Sequence, residues 1–405
     1  MDSEKYMPSE AAATKISESN KELYGEIKEA TEKAKTRGDL SPDLLFRLRD
    51  LLKAGSLELN LHSSFGWLIY FRLKCPRPAD FAAKKSELAL YLQLQSTRPS
   101  TLHSLMLHEA VNLKKENPKA FKFINFLTLW GLDNLREEDW QQFEMKDGNK
   151  LPSLVEKIIA VYARELSKTK ATASPEINEM ATQAMEKFPA NQYLPVYKAA
   201  ICASLGQKEE ALGYIRDSLM KQPTKSHLWR KAYELVGPVD HKIAFLCKTI
   251  SLQKEEAFLG NSRLKLAGLL LRKGLPQFAL LELQKYHKLY TSKRWSLRKE
   301  YDYLREKIPA DVKPADDSEI FRNYMPMCEE FLYSALPAQK VVKVGERRFD
   351  DKYHPGKQNL VWTMKTEGGD KIYLRNPASR GLNEAAPDGT AFQAKISDGK
   401  IVWIK

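Results

Sequence analysis

The chain has 405 residues, 43% of them apolar, which is enough for two or three ordinary globular domains. Its formal net charge is +13, an excess that favours polyanionic partners, because neutralising phosphates releases bound counterions. No run of 18 apolar residues occurs, the first residues (MDSEKYMPSEAAATK) are polar, and four scattered cysteines include no CxxC pair; these features argue against a membrane span, a cleaved secretion signal, a disulfide framework and a thiolate zinc site, and lead us to expect a cytoplasmic protein.

Residues 1–18 lack periodicity and read as a flexible tail. Residues 19–150 read as an all-helical region. NKELYGEIKEATEKAK is a polar amphipathic helix ended by Gly38-Asp39. Ser41-Pro42 opens the next helix, with serine as cap and proline in the first turn. DLLFRLRDLLKAG repeats leucine every three or four residues and closes on Gly55. SSFGWLIYFRLK is apolar on most faces and reads as a core helix, and ELALYLQLQ and AFKFINFLTLW continue the theme. Glu137-Glu138-Asp139 reads as a solvated turn or helix start.

From Leu151 to 309 small residues recur at about 34-residue intervals. Ala199, Ala232 and Ala267 form one column, Ala211, Ala244 and Ala279 a second, and Ser218 and Ser251 a third, followed by Leu219 and Leu252. Small residues at fixed offsets let paired helices cross closely and stack. LPSLVEKIIAVYAREL and SPEINEMATQAMEKFP form the first pair, and three further units follow to about 290. The charged SKRWSLRKEYDYLREK is suited to cover the open end of the stack. IPADVKPADD reads as a linker, and SEIFRNYMPMCEEFLYSAL as a helix kinked or split at Pro326, together spanning 310–337.

After Pro337 the period shifts from helix to strand. KVVKVGERRF, NLVWTMKT, DKIYLRNP, TAFQAKIS and KIVWIK are five β-rich runs. His354-Pro355-Gly356, Gly368-Gly369-Asp370, Pro387-Asp388-Gly389 and Asp398-Gly399 punctuate them. Five strands over 338–405 suit a small closed barrel, since an open sheet would leave unprotected edges. The fold class expected is therefore mostly α: a helical-hairpin solenoid with an all-helical N-terminal region and a small five-stranded C-terminal β-barrel.

Gly206, Ala211, Ile215, Ser218, Leu219 and Pro223 occupy the places of the second half of a tetratricopeptide repeat, and the segment 152–290 resembles that family. The fourth unit departs, with Tyr286 and His287 where the small residue and leucine belong, and the first departs at Glu165. The C-terminal run, from Trp362 through DKIYLRNP to PDGTAFQAKISDGKIVWIK, is similar to OB barrels, in particular cold-shock and ribosomal-protein-like members, although its first strand lacks their glycine-aromatic-glycine run. The whole arrangement resembles bacterial proteins that pair such repeats with an OB-like domain, some of them encoded in mobile conflict or defence islands.

The sequence offers no credible catalytic set. GxxxxGK[ST] and GxSxG do not occur, and His108-Glu109 is followed by Asn112 where HExxH needs histidine. His103 and His108 read as structural. No enzyme activity, cofactor or metal ion is expected. Two binding surfaces are. Alternation in KIYLR places Lys371, Tyr373 and Arg375 on one face, and the same logic places Thr363 with Lys365 and Gln393 with Lys395 on their strands, adding Lys365 and Lys395 to the candidate nucleic-acid contacts. A tyrosine flanked by cations can stack a base and hold its phosphates. Trp362 and Trp403 read as barrel filling. On the concave side of the helical array, Val196, Trp229, Tyr233 and Leu264 are expected to face an amphipathic protein partner. These positions lack the basic clamp that some tetratricopeptide proteins use for acidic tails. The expected protein is thus a scaffold that holds a protein on its helices and single-stranded nucleic acid, RNA before DNA, on its barrel. The alternative is a pure protein–protein adaptor, whose barrel docks on another subunit of a bacterial complex.

Overall fold

Helix ends follow local chemistry. Ser153 caps its helix by accepting from Glu156 N at 3.2 Å, while the Glu156 carboxylate accepts from Ser153 N at 2.7 Å, a reciprocal capping box. Ser174 caps a helix whose first residue is Pro175, and Ser100 caps another by accepting from His103 N. The computed structural model describes residues 18–36, 42–75, 81–169, 171–350, 358–380 and 382–405. The expected tail, the Gly38-Asp39 stop, the Ser41 cap and the 354–356 turn lie outside them, apart from residue 18, which opens the first helix. The chain divides into two units, Met1–Gln207 and Lys208–Lys405.

The first unit contains α1 (Glu18–Thr36), α2 (Pro42–Lys53), α3 (Leu59–Lys74), α4 (Phe81–Tyr91), α5 (Thr101–Glu116), α6 (Phe123–Trp130), α7 (Leu154–Leu166), α8 (Pro175–Lys187) and α9 (Leu194–Ser204). Helix α3 is the core helix its composition implied: Phe65 through Leu73 is buried without a break, against α1, α4 and α5. The one cation in that run, Arg72, is paired with Glu87 through Nε at 3.1 Å and Nη2 at 2.9 Å. Glu165 departs from the repeat pattern for a reason: its buried carboxylate pairs with Lys114 and accepts from Phe123 N, tying α7 to α5 and α6.

The expectation of an all-helical region to residue 150 fails at its end. Two 3₁₀ turns, 132–134 and 137–140, lead into an antiparallel ribbon, β1 (Phe143–Glu144) with β2 (Lys150–Leu151). Gly148 turns it at φ +79°, and the Asp147 carboxylate accepts from Asn149 N at 3.0 Å. Asp-Gly turn chemistry overrides helix here. Glu137 and Glu138 are exposed, but Asp139 is buried and accepts from Ser104 Oγ at 2.7 Å.

The second unit begins with α10 (Lys208–Lys221), α11 (Ser226–Leu235), α12 (Val239–Leu252), α13 (Gly260–Arg272) and α14 (Pro276–Ser292), each packed on the next. The alanine columns sit where the helices meet: Ala211, Ala232, Ala244, Ala267 and Ala279 are all fully buried, as is Ala199 in the first unit. Tyr286, standing where a small residue belongs, stacks with Tyr290 (4.1 Å between centroids) and with Tyr301 (5.6 Å). Tyr301 belongs to α15 (Lys299–Glu306), which covers the last pair and buries Leu304. The stretch after it runs back along the stack, with Ala315 N donating to Gln277 O at 3.2 Å. The expected break at Pro326 separates α16 (Asp317–Tyr324) from α17 (Pro326–Leu332), and both pack on α12.

The strands are β3 (Gln339–Asp350), β4 (Gln358–Thr366), β5 (Lys371–Arg375), β6 (Ala391–Ser397) and β7 (Lys400–Ile404), in one antiparallel sheet of order β5-β4-β3-β6-β7. Three hairpin-linked strands and a fourth returning beside the first make a Greek key. Asp398 and Gly399, at φ 49° and 69°, supply the turn between β6 and β7. Among the described residues the ladder does not close, which corrects the expected barrel: β5 and β7 approach each other without a shared ladder. Both edges are only five residues long and end on or beside a cation, features that protect an open edge. Trp362, Met364, Ile372, Leu374, Val341, Ala394, Ile401 and Ile404 form the core of the sheet.

Candidate nucleic-acid interface

The outer face of the sheet is set by alternation and by one irregularity. In β5, Ile372 and Leu374 are buried, while Lys371, Tyr373 and Arg375 are exposed. The register pairs Tyr373 with Thr363, Lys371 with Lys365 and Arg375 with Val361, so these residues share the outer face. In β3, a bulge between Lys343 and Gly345 shifts the alternation by one residue. Lys343 therefore points inward, and Gly345, Arg347 and Phe349 point out.

The inward lysine is held tightly. Lys343 Nζ donates to Glu346 Oε2 at 2.6 Å and to Ala386 O at 2.7 Å, and lies 4.8 Å from the Trp362 ring centroid. Its ammonium keeps the Glu346 carboxyl below the usual carboxylate range. This pins the 383–389 loop over the sheet's core and leaves the outer face free of that carboxylate.

On the outer face, Tyr373 is 53% exposed and Phe349 44%. The Arg347 guanidinium lies 5.1 Å from both ring centroids, so the rings stand within twice that distance of each other. Gly345, beside Thr363, adds no side chain to the outer face next to Arg347, and the space above it is open. Lys365, Lys371, Arg375 and Arg347 are exposed and make no salt bridge to a carboxylate among the described residues. The arrangement can stack planar rings and neutralise several phosphates.

The sequence placed Lys371, Tyr373 and Arg375 on one face, and the β4–β5 register brings Lys365 beside them. The sequence missed Arg347 and Phe349, because their side depends on the bulge. Lys395 does not join the patch: its Nζ donates to Tyr333 O at 2.8 Å at the end of α17 and sits 5.6 Å from the Trp403 ring. It fastens the sheet to that helix and is a positioning residue. Trp362 is fully buried, as expected of core filling, whereas Trp403 is half-buried.

The helical candidates separate into two kinds. Trp229 and Leu264 are fully buried and line no groove. Trp229 packs against Phe245 (5.4 Å) and donates from Nε1 to Pro223 O at 2.8 Å; these contacts complete the α11–α12 pairing. Val196 and Tyr233 are half-buried, and Lys265 Nζ covers the Tyr233 ring at 5.1 Å.

Among the described residues no group of three His, Cys, Asp or Glu side chains could hold a metal ion, and no helix is long and apolar enough to cross a membrane. All four cysteines are buried thiols. His103 and His108 are both pushed down to about 4 by burial, with Lys157, Lys115 and Lys74 acting further on His108. His103 stacks on Trp130 at 4.2 Å, and its ring nitrogens bond to Tyr91 OH and Trp130 O.

Residues 192–325 match the family model described as a domain of unknown function (DUF7017), less than half of the chain. No curated protein matches. Among solved structures, the crystal structure of BtubC (BKLC) from P. vanneervenii is similar at 12% identity with a TM-score of 0.29, over 70% of this chain and 95% of that one.

Proposed function

We propose that this protein is a non-enzymatic cytoplasmic adaptor that binds single-stranded nucleic acid on the outer face of its C-terminal sheet and a protein partner on its helical repeats. The observation that carries the reading is the exposed Tyr373–Arg347–Phe349 cluster, flanked by Lys365, Lys371 and Arg375, none of which is salt-bridged to a carboxylate among the described residues. Every base has a π-face, so rings and cations together suit a single strand of unspecified sequence. Resemblance to cold-shock and ribosomal-protein-like barrels puts RNA ahead of DNA. On the helices, Val196 and Tyr233 are the expected protein contacts that keep accessible surface.

The test is fluorescence anisotropy with single-stranded RNA at low and physiological salt. Tyr373→Ala with Arg375→Ala is expected to weaken binding by at least about fivefold, the low end of the 1–3 kcal/mol that one stacked base contributes. Absence of binding to the intact chain at low salt, with recovery of a stoichiometric protein and no nucleic acid on copurification, would establish the pure protein–protein adaptor instead.

A further inference from the structure

Four helices end with the same hydrogen bonds. After α2, Gly55 N donates to Leu52 O and Ser56 N to Leu51 O. After α9, Gly206 N donates to Ala203 O and Gln207 N to Cys202 O; after α13, Gly274 N donates to Leu271 O and Leu275 N to Leu270 O; after α14, Arg294 N donates to Thr291 O and Trp295 N to Tyr290 O. The turn needs a left-handed residue. Gly55, Gly206 and Gly274 supply it at φ 69°, 81° and 73°, but α14 uses Arg294 at φ 54°. A side chain there strains the backbone, so an arginine is held at a position that favours glycine.

That arginine is part of an exposed basic and aromatic surface. Residues 293–307 contain six cations and three carboxylates. Trp295 is anchored edge-on to Tyr290 (5.3 Å, 83°), yet remains 44% exposed. On α15 and its C-cap, Lys299, Tyr303 and Lys307 fall four residues apart and are all exposed. Lys307 Nζ lies 4.3 Å from the Tyr303 ring. Loop and helix sit side by side because Trp295 rests on Tyr290 and Tyr301 on Tyr286, and those two tyrosines stack at 4.1 Å. Lys293, Arg294, Lys299 and Lys307 have no carboxylate partner among the described residues.

We infer that this cap of the helical stack is a second contact for single-stranded nucleic acid, with Trp295 and Tyr303 stacking bases and Lys293, Arg294, Lys299 and Lys307 holding phosphates. The partner is of the class proposed for the sheet, but the inference stands on its own residues. Cations interleaved with exposed rings are complementary to a chain of phosphates and bases.

The decisive variant is Arg294→Gly in the full chain, because glycine relieves the backbone. It is expected to raise the thermal midpoint while weakening binding of a labelled single-stranded 20-mer, RNA or DNA, and lowering the salt-dependence slope by about 0.7. Trp295→Ala is expected to weaken binding about fivefold or more, and Trp295→Phe to restore most of it. Unchanged affinity and slope in Arg294→Gly and Trp295→Ala would overturn the inference, as would an acidic polyglutamate peptide binding this surface where oligonucleotides do not. If cap variants weaken binding and sheet variants do not, the sheet reading fails and this one stands. If no oligonucleotide binds at all, both fail.

Discussion

Replacing His103 by glutamine removes an imidazole that the fold holds neutral. The Trp130 carbonyl can only accept, so Nε2 carries the proton and Nδ1 accepts from the Tyr91 hydroxyl. The ring is fully buried between its partners, and burial pushes its pKa from 6.5 down to about 4. A histidine with a depressed folded pKa contributes stability that is fully present above its unfolded value near 6.5, and that is lost as pH falls through the folded value. At about 1.4 kcal/mol per pH unit, the gap between 6.5 and about 4 corresponds to about 3 kcal/mol. Loss of the Trp130 stack by His103→Gln adds an offset that does not vary with pH. Denaturant unfolding of both proteins from pH 7.5 to pH about 4 should therefore show the wild-type advantage shrinking by up to about 3 kcal/mol, mostly below pH about 6. His108, displaced in the same direction, is present in both chains and cancels. Parallel stability curves would refute the reasoning.

Trp229→Ala should lower stability by about 3–5 kcal/mol, read by thermal unfolding, because it empties a fully buried site; a folded chain of unchanged midpoint would return Trp229 to the surface. Ala244→Leu should overpack the α11–α12 crossing by about 1–3 kcal/mol in the same assay. Glu165→Ala should cost about 3–5 kcal/mol, since it strands Lys114 and leaves Phe123 N unpaired. Lys395→Met should destabilise the seat of the sheet on α17 while leaving oligonucleotide affinity unchanged, and a loss of affinity at unchanged stability would make it a phosphate contact.

The helical part was legible because its signals are local. Alanines at a 34-residue spacing must be buried wherever helices cross, and the six named ones are. Pro326 splits its helix, as its place in SEIFRNYMPMCEEFLYSAL implied. What the sequence could not show depends on pairing. Which way Trp229 and Leu264 point is fixed by the neighbouring helix, and the 34-residue period does not encode that choice. The Lys343–Gly345 bulge turns Lys343 inward and brings Arg347 and Phe349 beside Tyr373; strict alternation along KVVKVGERRF would have kept Lys343 with them. Lys395 looked like a free outward cation until α17 supplied carbonyls for it. The ribbon at 143–151 was signalled by Asp147-Gly148, a turn pair embedded in a polar stretch too short to read as strands.

Ultraviolet crosslinking of the full chain to single-stranded RNA, read by mass spectrometry of the modified peptides, tests the central claim most directly. Adducts on the peptides containing Tyr373 and Phe349, lost on Tyr373→Ala with Arg347→Ala, are the predicted result. Efficient crosslinking that avoids residues 339–375, or none at low salt, would contradict it.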